Sequence, residues 1–279
     1  MTDSVLLKNG AELRRISSRS NDEVVRASKL SMKKYREQEG QFLLEGEKLL
    51  EEAVLYGEPR AVYVCEDSID RLSEKTAEYL SDPRLAGRAY ALSRPAFEKI
   101  STEKSPQGVI TSALIPQGRD RRAVASALAS GERTLVLDGV RDPGNVGGII
   151  RTAAAFGFGS VILADCADPY GDRSVRASMG AIFRIRTESY DDSGSAAELL
   201  SSSGRRLVAA ALSGDSETLG TFVPAGDDIV VIGNEGHGIS EKMLSVCSVT
   251  LRIPMAAGCE SLNAGSAAAV ILWEYYKNV

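Results

Sequence analysis

One histidine in 279 residues leaves little room for histidine-centred chemistry. A Ser-His-Asp or Cys-His centre would rest wholly on His237, and its surroundings, "GNEGHGIS", supply no nucleophile elbow. A lone histidine among glycines reads instead as a hydrogen-bonded loop residue. Cys65, Cys166, Cys247 and Cys259 form no CxxC pair and no metal-ligand spacing. No metal is therefore expected, and the thiols read as free ones in a reducing cytoplasm. No window nears the ~18 consecutive apolar residues of a membrane span, so no membrane partner is expected. The opening "MTDSVLLKNGAELRR" does not read as a secretory leader, which points to a cytoplasmic location. A Walker-type phosphate loop and a dinucleotide-binding GxGxxG turn are both missing. Net charge is −5, which excludes a uniformly basic nucleic-acid binder but not a local patch.

Such a patch exists. Between Lys8 and Arg36 nine basic residues face three acidic ones, Glu12, Asp22 and Glu23. The stretch suits phosphate contacts, and equally a solvated helix face. "DEVVRASKLSMKKYREQEG" has helical spacing at Val24, Val25, Leu30 and Met32, with a stop at Gly40. "GEKLLEEAVLYG" reads as a second helix, "RAVYVCED" and "VITSAL" as strands, and "SRPAFEKISTEKSPQG" as a helix followed by a turn. Around residues 115–133 the apolar pattern weakens while charge, glycine and serine rise. We place a boundary there, with a small α/β domain over 1–115 and a second domain over 133–279.

The second half repeats one grammar. "TLVLDGV", "SVILADC", "FRIRTE", "RLVAAAL", "DIVVIGN" and "VTLRIPM" are short apolar runs, mostly separated by helical segments. The helix "GNVGGIIRTAAAFG" places Val146, Ile149, Ile150, Ala153 and Ala154 at apolar spacing. Apolar strands alternating with helices imply a largely parallel sheet covered on both faces. Loops leaving the carboxyl ends of such strands share one edge, where ligands bind. Four of these loops, "DGVRDPGN", "SGDS", "GNEGHG" and "PMAAGCESLN", are rich in glycine or small polar residues that let backbone approach a ligand. One alone would be a turn; four together suggest a site.

Read together, "LDGVRDPGNVGGIIRTAAAFGF", "VVIGNEGHGIS" and "LRIPMAAGCESLNAGSAAAVILWE" resemble the three ordered motifs of the SpoU/TrmH branch of SPOUT RNA 2'-O-ribose methyltransferases. "FLLEGEKLLEEAVLYGEPRAVYVCED" is similar to the opening of that family's RNA substrate-binding domain. The resemblance implies a trefoil-knotted parallel-sheet C-terminal domain, preceded by a small α/β RNA-binding domain. It also implies S-adenosylmethionine as cofactor, a homodimer, and RNA as partner, ribosomal ahead of transfer RNA. By matching position it makes Asn145, Arg151, Glu235, Ser261 and Asn263 the catalytic set. Leu212, Gly233, Ile253 and Leu262 would hold the cofactor. Ala264-Gly265 stands where the family more often has Val-Ser or Ala-Ser, a small local departure.

Ribose 2'-hydroxyls are poor nucleophiles while protonated, so the site must orient one and ease its proton away. A guanidinium with a pKa above ~12 is a poor base. Arg151 is therefore expected to hold the neighbouring phosphate and stabilise developing alkoxide charge. Each residue also has a plainer reading: Asn145 and Ser261 as helix caps, Glu235 as a loop brace. A non-catalytic RNA-binding paralogue, and an α/β enzyme using another nucleotide, remain as alternatives. The helix "SAAAVILWEYYKNV" spreads Ile271, Leu272, Trp273, Tyr275 and Tyr276 around more of its surface than one core stripe needs, as a dimer contact would.

Overall fold

A computed structural model describes residues 3–116, 121–212, 215–258 and 261–278. Ser213, Gly214, Cys259 and Glu260, from two of the expected loops, lie outside the described residues. In chain order the structure runs β1 (Ser4–Leu6), β2 (Glu12–Ile16), α1 (Asp22–Lys29), α2 (Lys33–Glu39), β3 (Gln41–Glu45), α3 (Glu47–Tyr56), β4 (Pro59–Cys65), α4 (Glu74–Tyr79), β5 (Ala89–Leu92), α5 (Arg94–Ile100) and β6 (Val109–Leu114). It continues with α6 (Arg121–Ala129), β7 (Thr134–Asp138), α7 (Pro143–Ala155), β8 (Ser160–Ala164), α8 (Asp172–Ser178), β9 (Arg186–Tyr190), α9 (Ser193–Ser201), β10 (Leu207–Ala210), β11 (Glu217–Thr218), β12 (Ile229–Gly233), α10 (Glu241–Leu244), β13 (Val249–Arg252) and α11 (Ala264–Asn278). The chain divides into two compact units, the first made of Met1–Pro116 with Tyr170–Phe183, the second of the remainder.

In the first unit a six-stranded mixed sheet has the order β1-β2-β5-β4-β6-β3. The single helix expected over 22–40 is broken into α1 and α2. Leu30 turns into the core at the break, and the buried Arg36 guanidinium donates to the carbonyls of Leu30 and Ser31, both at 2.8 Å. Those are carbonyls that the end of a helix leaves without intrahelical partners. The expected stop holds: Gly40, at φ 62°, closes α2 in the left-handed conformation. Tyr170 and Phe183, far along the chain, pack their rings on Phe42 of β3 at 5.1 and 5.6 Å. A linear boundary near residue 115 does not register that return.

Several basic residues of the 8–36 stretch are structural. Arg26 reaches Glu23 at 2.7 Å and Glu39 at 2.6 Å, and Tyr63 donates to Glu23 at 2.5 Å. Arg15 pairs with Asp3 and Glu66. Arg15, Arg26 and Arg36 therefore serve the fold of the segment, a third role beside the phosphate contacts and the solvated helix face expected of it.

In the second unit a seven-stranded sheet has the order β11-β13-β10-β12-β7-β8-β9, and every pairing in it is parallel. Val136, Ile162, Ala209 and Val231 from its central strands pack with Ala196 and Leu200 of α9 and Met243 of α10. On α11, Ala264, Ala268, Ile271, Leu272 and Tyr275 are buried, a single stripe at helical spacing, and the helix packs on α7 and β12. Trp273 and Tyr276 face outward, about half exposed, and stack with Phe156.

Candidate functional site

Because all the strands of the second sheet run the same way, Asp138, Ala164, Tyr190, Ala210, Gly233 and Arg252 end on one edge. The loop after β7 starts from Asp138, a buried carboxylate at the end of an otherwise apolar strand. Its Oδ2 accepts the Ser240 backbone N–H at 2.7 Å, and its Oδ1 accepts the Ser193 hydroxyl. One carboxylate thus ties β7 to the starts of α9 and α10 across the edge. Gly139 follows at φ 72°, a conformation that favours glycine. Its carbonyl accepts from Asn234 Nδ2 at 2.8 Å, which docks the 234–238 loop against the β7 loop.

The cap of α7 is Asp142, whose Oδ1 accepts the Asn145 N–H at 2.8 Å; Pro143 fills the first turn. Asn145 is therefore not the cap, and its side chain is free for other work. Its Nδ2 donates to Glu235 Oε1, while its Oδ1 accepts from Asn263 Nδ2 at 3.2 Å. The expected cap role of Ser261 also falls elsewhere. Asn263 Oδ1 accepts the Gly265 N–H at 2.9 Å and its carbonyl accepts from Ala267, so Asn263 caps α11 and joins the cluster at once. Asn145, Glu235 and Asn263, from three distant segments, form one hydrogen-bonded chain.

Beside this chain lies a pocket of about 360 Å³, inside the range of roughly 300–1,000 Å³ usual for small-molecule sites. Leu212, Gly233, Ile253 and Leu262 all line it, as do Glu235 and Ser261. Most of the remaining lining is apolar side chain and strand-end backbone, suited to a nucleoside-sized ligand carrying a few polar groups. Gly233 matters for a reason different from the one its position suggests. A Cβ there would sit 2.5 Å from Ile239 N and 2.6 Å from Gly238 O, so the glycine lets the loop close over its own backbone. His237 lines the pocket too, exposed, with its N–H donating to Asn234 Oδ1 at 3.1 Å. That is the loop role expected for it.

Arg151 stands apart. It is exposed on α7, six residues beyond Asn145, which places it about 9 Å along the axis and about 120° around it. Among the described residues it makes no ion pair or hydrogen bond through its side chain, and it does not line the pocket. The structure thus gathers Asn145, Glu235, Ser261 and Asn263 and leaves Arg151 on an open helix face. Burial pushes the Cys166 thiol up to about 12, with the Asp138 charge adding to it, and burial pushes Cys247 up to about 11. Neither is a nucleophile near neutral pH. Cys259 lies outside the described residues.

Sequence reasoning missed Asp138, Asn234 and Arg252. A carboxylate closing the apolar run "TLVLD" was the available signal for Asp138, since such a group is buried only when partnered. The other two needed the geometry.

Comparison with known proteins identifies the family of the chain. The SpoU rRNA Methylase family matches residues 132–273, and the MRM3-like substrate binding domain matches residues 21–111. A 23S rRNA (guanosine(2553)-2'-O)-methyltransferase of Bacillus subtilis is 29% identical over 269 residues, covering 94% of this chain and 98% of the relative. A 23S rRNA (uridine(2479)-2'-O)-methyltransferase of Streptomyces viridochromogenes is 30% identical over 269 residues, covering 94% of this chain and 91% of the relative. The solved structure of the SpoU methyltransferase AviRb from the same organism, in complex with the cofactor AdoMet, superimposes with a TM-score of 0.76 at 26% identity. It covers 92% of this chain and 98% of that one. With half its length matched by the family and its strand-end loops assembled into one pocket and one polar chain, this protein belongs to the SpoU rRNA methylase family.

Proposed function

We propose that this protein is an S-adenosylmethionine-dependent methyltransferase acting on a ribose 2'-hydroxyl of ribosomal RNA. The observation that carries the reading is the pocket: four positions expected to hold the cofactor line it, and the Asn145–Glu235–Asn263 chain lies beside it. Relatives that act on 23S rRNA, and a neighbour with AdoMet bound, support the substrate and the cofactor. When bound, S-adenosylmethionine supplies a methyl group already activated by its sulfonium.

What remains for the chain is to place the hydroxyl and remove its proton. Glu235, held by Asn145, and Asn263 orient the ribose, with Ser261 on the pocket wall. Arg151 holds the adjacent phosphate and stabilises alkoxide charge, the proton leaving to phosphate or water. Its guanidinium, open and without a partner among the described residues, supports that role, because a cation already committed to a carboxylate would have to be released first.

The finer organisation follows the same reading. The knotted methyltransferase domain corresponds to 133–279, where β10 sits between β12 and β13 in the sheet order. The domain over 1–115 holds RNA, and the match to a substrate binding domain supports this. Two copies pair through the outward face of α11, where Val270, Trp273 and Tyr276 are exposed. An rRNA substrate places the work in the cytoplasm.

Radiolabelled methyl transfer to purified ribosomal and transfer RNA, followed by mapping of the modified nucleotide, tests the proposal. Label in ribosomal RNA that disappears when the mapped nucleotide is 2'-deoxy is the expected result. Label that persists there would reject 2'-O chemistry, and label confined to transfer RNA would reject the substrate.

A further inference from the structure

Arg252 ends β13 and is the only arginine or lysine among the described residues lining the pocket. Its Nε donates to Thr218 Oγ1 at 3.0 Å, and Thr218 is its register partner on β11. That bond fixes the near side of the guanidinium. Among the described residues no carboxylate pairs with the far side. The pocket's other charged group, Glu235, is engaged by Asn145. Arg252 is exposed in the pocket lining, so its open side can meet a ligand carboxylate without either group being buried unpaired. The planar fork of an arginine suits a carboxylate better than any other side chain does.

Resting on the cofactor reading above, we infer that Arg252 receives the carboxylate at the amino-acid end of S-adenosylmethionine and that Thr218 positions it to do so. Arg252 immediately precedes Ile253 in the chain and shares the pocket wall with Leu212 and Leu262, which favours the cofactor over an RNA phosphate as the anion. The assignment gives the two ends of the pocket different duties. Backbone and apolar side chains hold the nucleoside without reading charge, and one cation reads the amino acid.

The test measures binding by calorimetry on the full-length chain, with S-adenosylhomocysteine and with methylthioadenosine, which has the nucleoside and sulfur but no carboxylate. The wild-type protein is expected to favour S-adenosylhomocysteine. Arg252→Ala should weaken that ligand about tenfold, the scale of one charge-assisted contact at an exposed position, while methylthioadenosine affinity stays within twofold. Retained methylthioadenosine binding shows at the same time that the pocket is folded. Thr218→Val should weaken S-adenosylhomocysteine in the same direction by a few-fold. Equal losses for both ligands, or no loss for either, would overturn the assignment. So would unchanged binding of both with a fall in RNA affinity, which would make Arg252 a phosphate reader. If the wild-type chain binds neither ligand, the cofactor reading fails and this inference with it; every other negative result leaves that reading intact.

Discussion

In the first unit Arg15 and Arg26 each reach carboxylates and Arg36 reaches backbone carbonyls, whereas in the second unit Arg151 stands on an open helix face and Arg252, among the described residues, is held through Nε alone. The second unit also builds structural pairs: Arg206 grips the buried Asp228 at 2.6 and 2.7 Å, and Tyr275 donates to the same carboxylate. Density of positive charge is thus a poor guide to how many cations a segment leaves unpaired. The stretch with the most basic residues spends several of them on its own fold. Arg151 and Arg252, the cations assigned roles in the proposed mechanism and cofactor site, lie instead on an exposed helix and at the sheet edge. Both units hold paired and open cations, so pairing, rather than count, shows which of them are committed to the fold.

The largest effect is expected at Arg151. Arg151→Ala should lower methyl transfer by roughly 10² or more while cofactor affinity moves only a few-fold, since the residue lies outside the pocket. Arg151→Lys should rescue little, because an ammonium has no planar fork. Single-turnover kinetics with separate binding measurements checks both, and near-normal turnover in the alanine variant rejects the role.

Next comes the loop over the pocket. Gly233→Ala forces Cβ against the Gly238–Ile239 backbone and should weaken S-adenosylhomocysteine binding roughly tenfold or more. Gly148→Ala, on α7 with open space around its Cβ, should leave binding unchanged and keep or slightly raise stability. Equal behaviour of the two variants in calorimetry and urea unfolding would remove the special status of Gly233.

These two predictions also mark what was readable beforehand. The parallel sheet was legible because its central strands are buried apolar runs with the same grammar. The pocket positions were legible through three ordered motifs. Hidden were the facts that depend on which side chain takes each cap and where each helix starts and stops. That Asn145 is bridge rather than cap required knowing that Asp142 takes the cap. That Asn263 rather than Ser261 caps α11 depended on where the helix starts. The break between α1 and α2 was invisible because Leu30 fits helical spacing equally well; a buried arginine side chain decides it. Strands β1 and β11 are too brief to leave a period, and β2, "ELRRI", is mostly charged and does not alternate.

Smaller effects separate structural from free cations in the first unit. Arg26→Gln should cost about 1–2 kcal/mol in urea unfolding, the part-buried Glu23 losing its charged partner. RNA affinity should stay within twofold. Burial alone would raise the Glu23 carboxyl, but hydrogen bonds from Arg26 and Tyr63 hold it below its ordinary value. Its stabilisation is therefore complete above that ordinary value and is lost as pH falls through the depressed one, a slope that Arg26→Gln should flatten. The paired change Arg19→Gln with Lys34→Gln should do the reverse: stability unchanged, RNA binding a few-fold weaker, and the salt dependence shallower by roughly one to two phosphate contacts. RNA affinity that falls in the Arg26 variant and holds in the double variant would invert the comparison.

The smallest effect concerns thiols. With its pKa at about 12, Cys166 should resist iodoacetamide at pH 8 in the native protein and react only on unfolding. Mass spectrometry of the labelled peptides gives the answer directly, and rapid native labelling of Cys166 would show that the β8 end opens.

The return of Tyr170–Phe183 to the first unit has a consequence for synthesis of the chain. As the polypeptide leaves the ribosome, Phe42 emerges more than a hundred residues ahead of the rings that cover it. By then β7 and β8 have also emerged, while β12, the partner on the other side of β7, is still to be made. Neither unit is complete when the other begins, so the nascent chain carries two unfinished hydrophobic surfaces at once. The first unit therefore cannot finish packing before the second has begun to emerge, so completion of the two overlaps in time during translation.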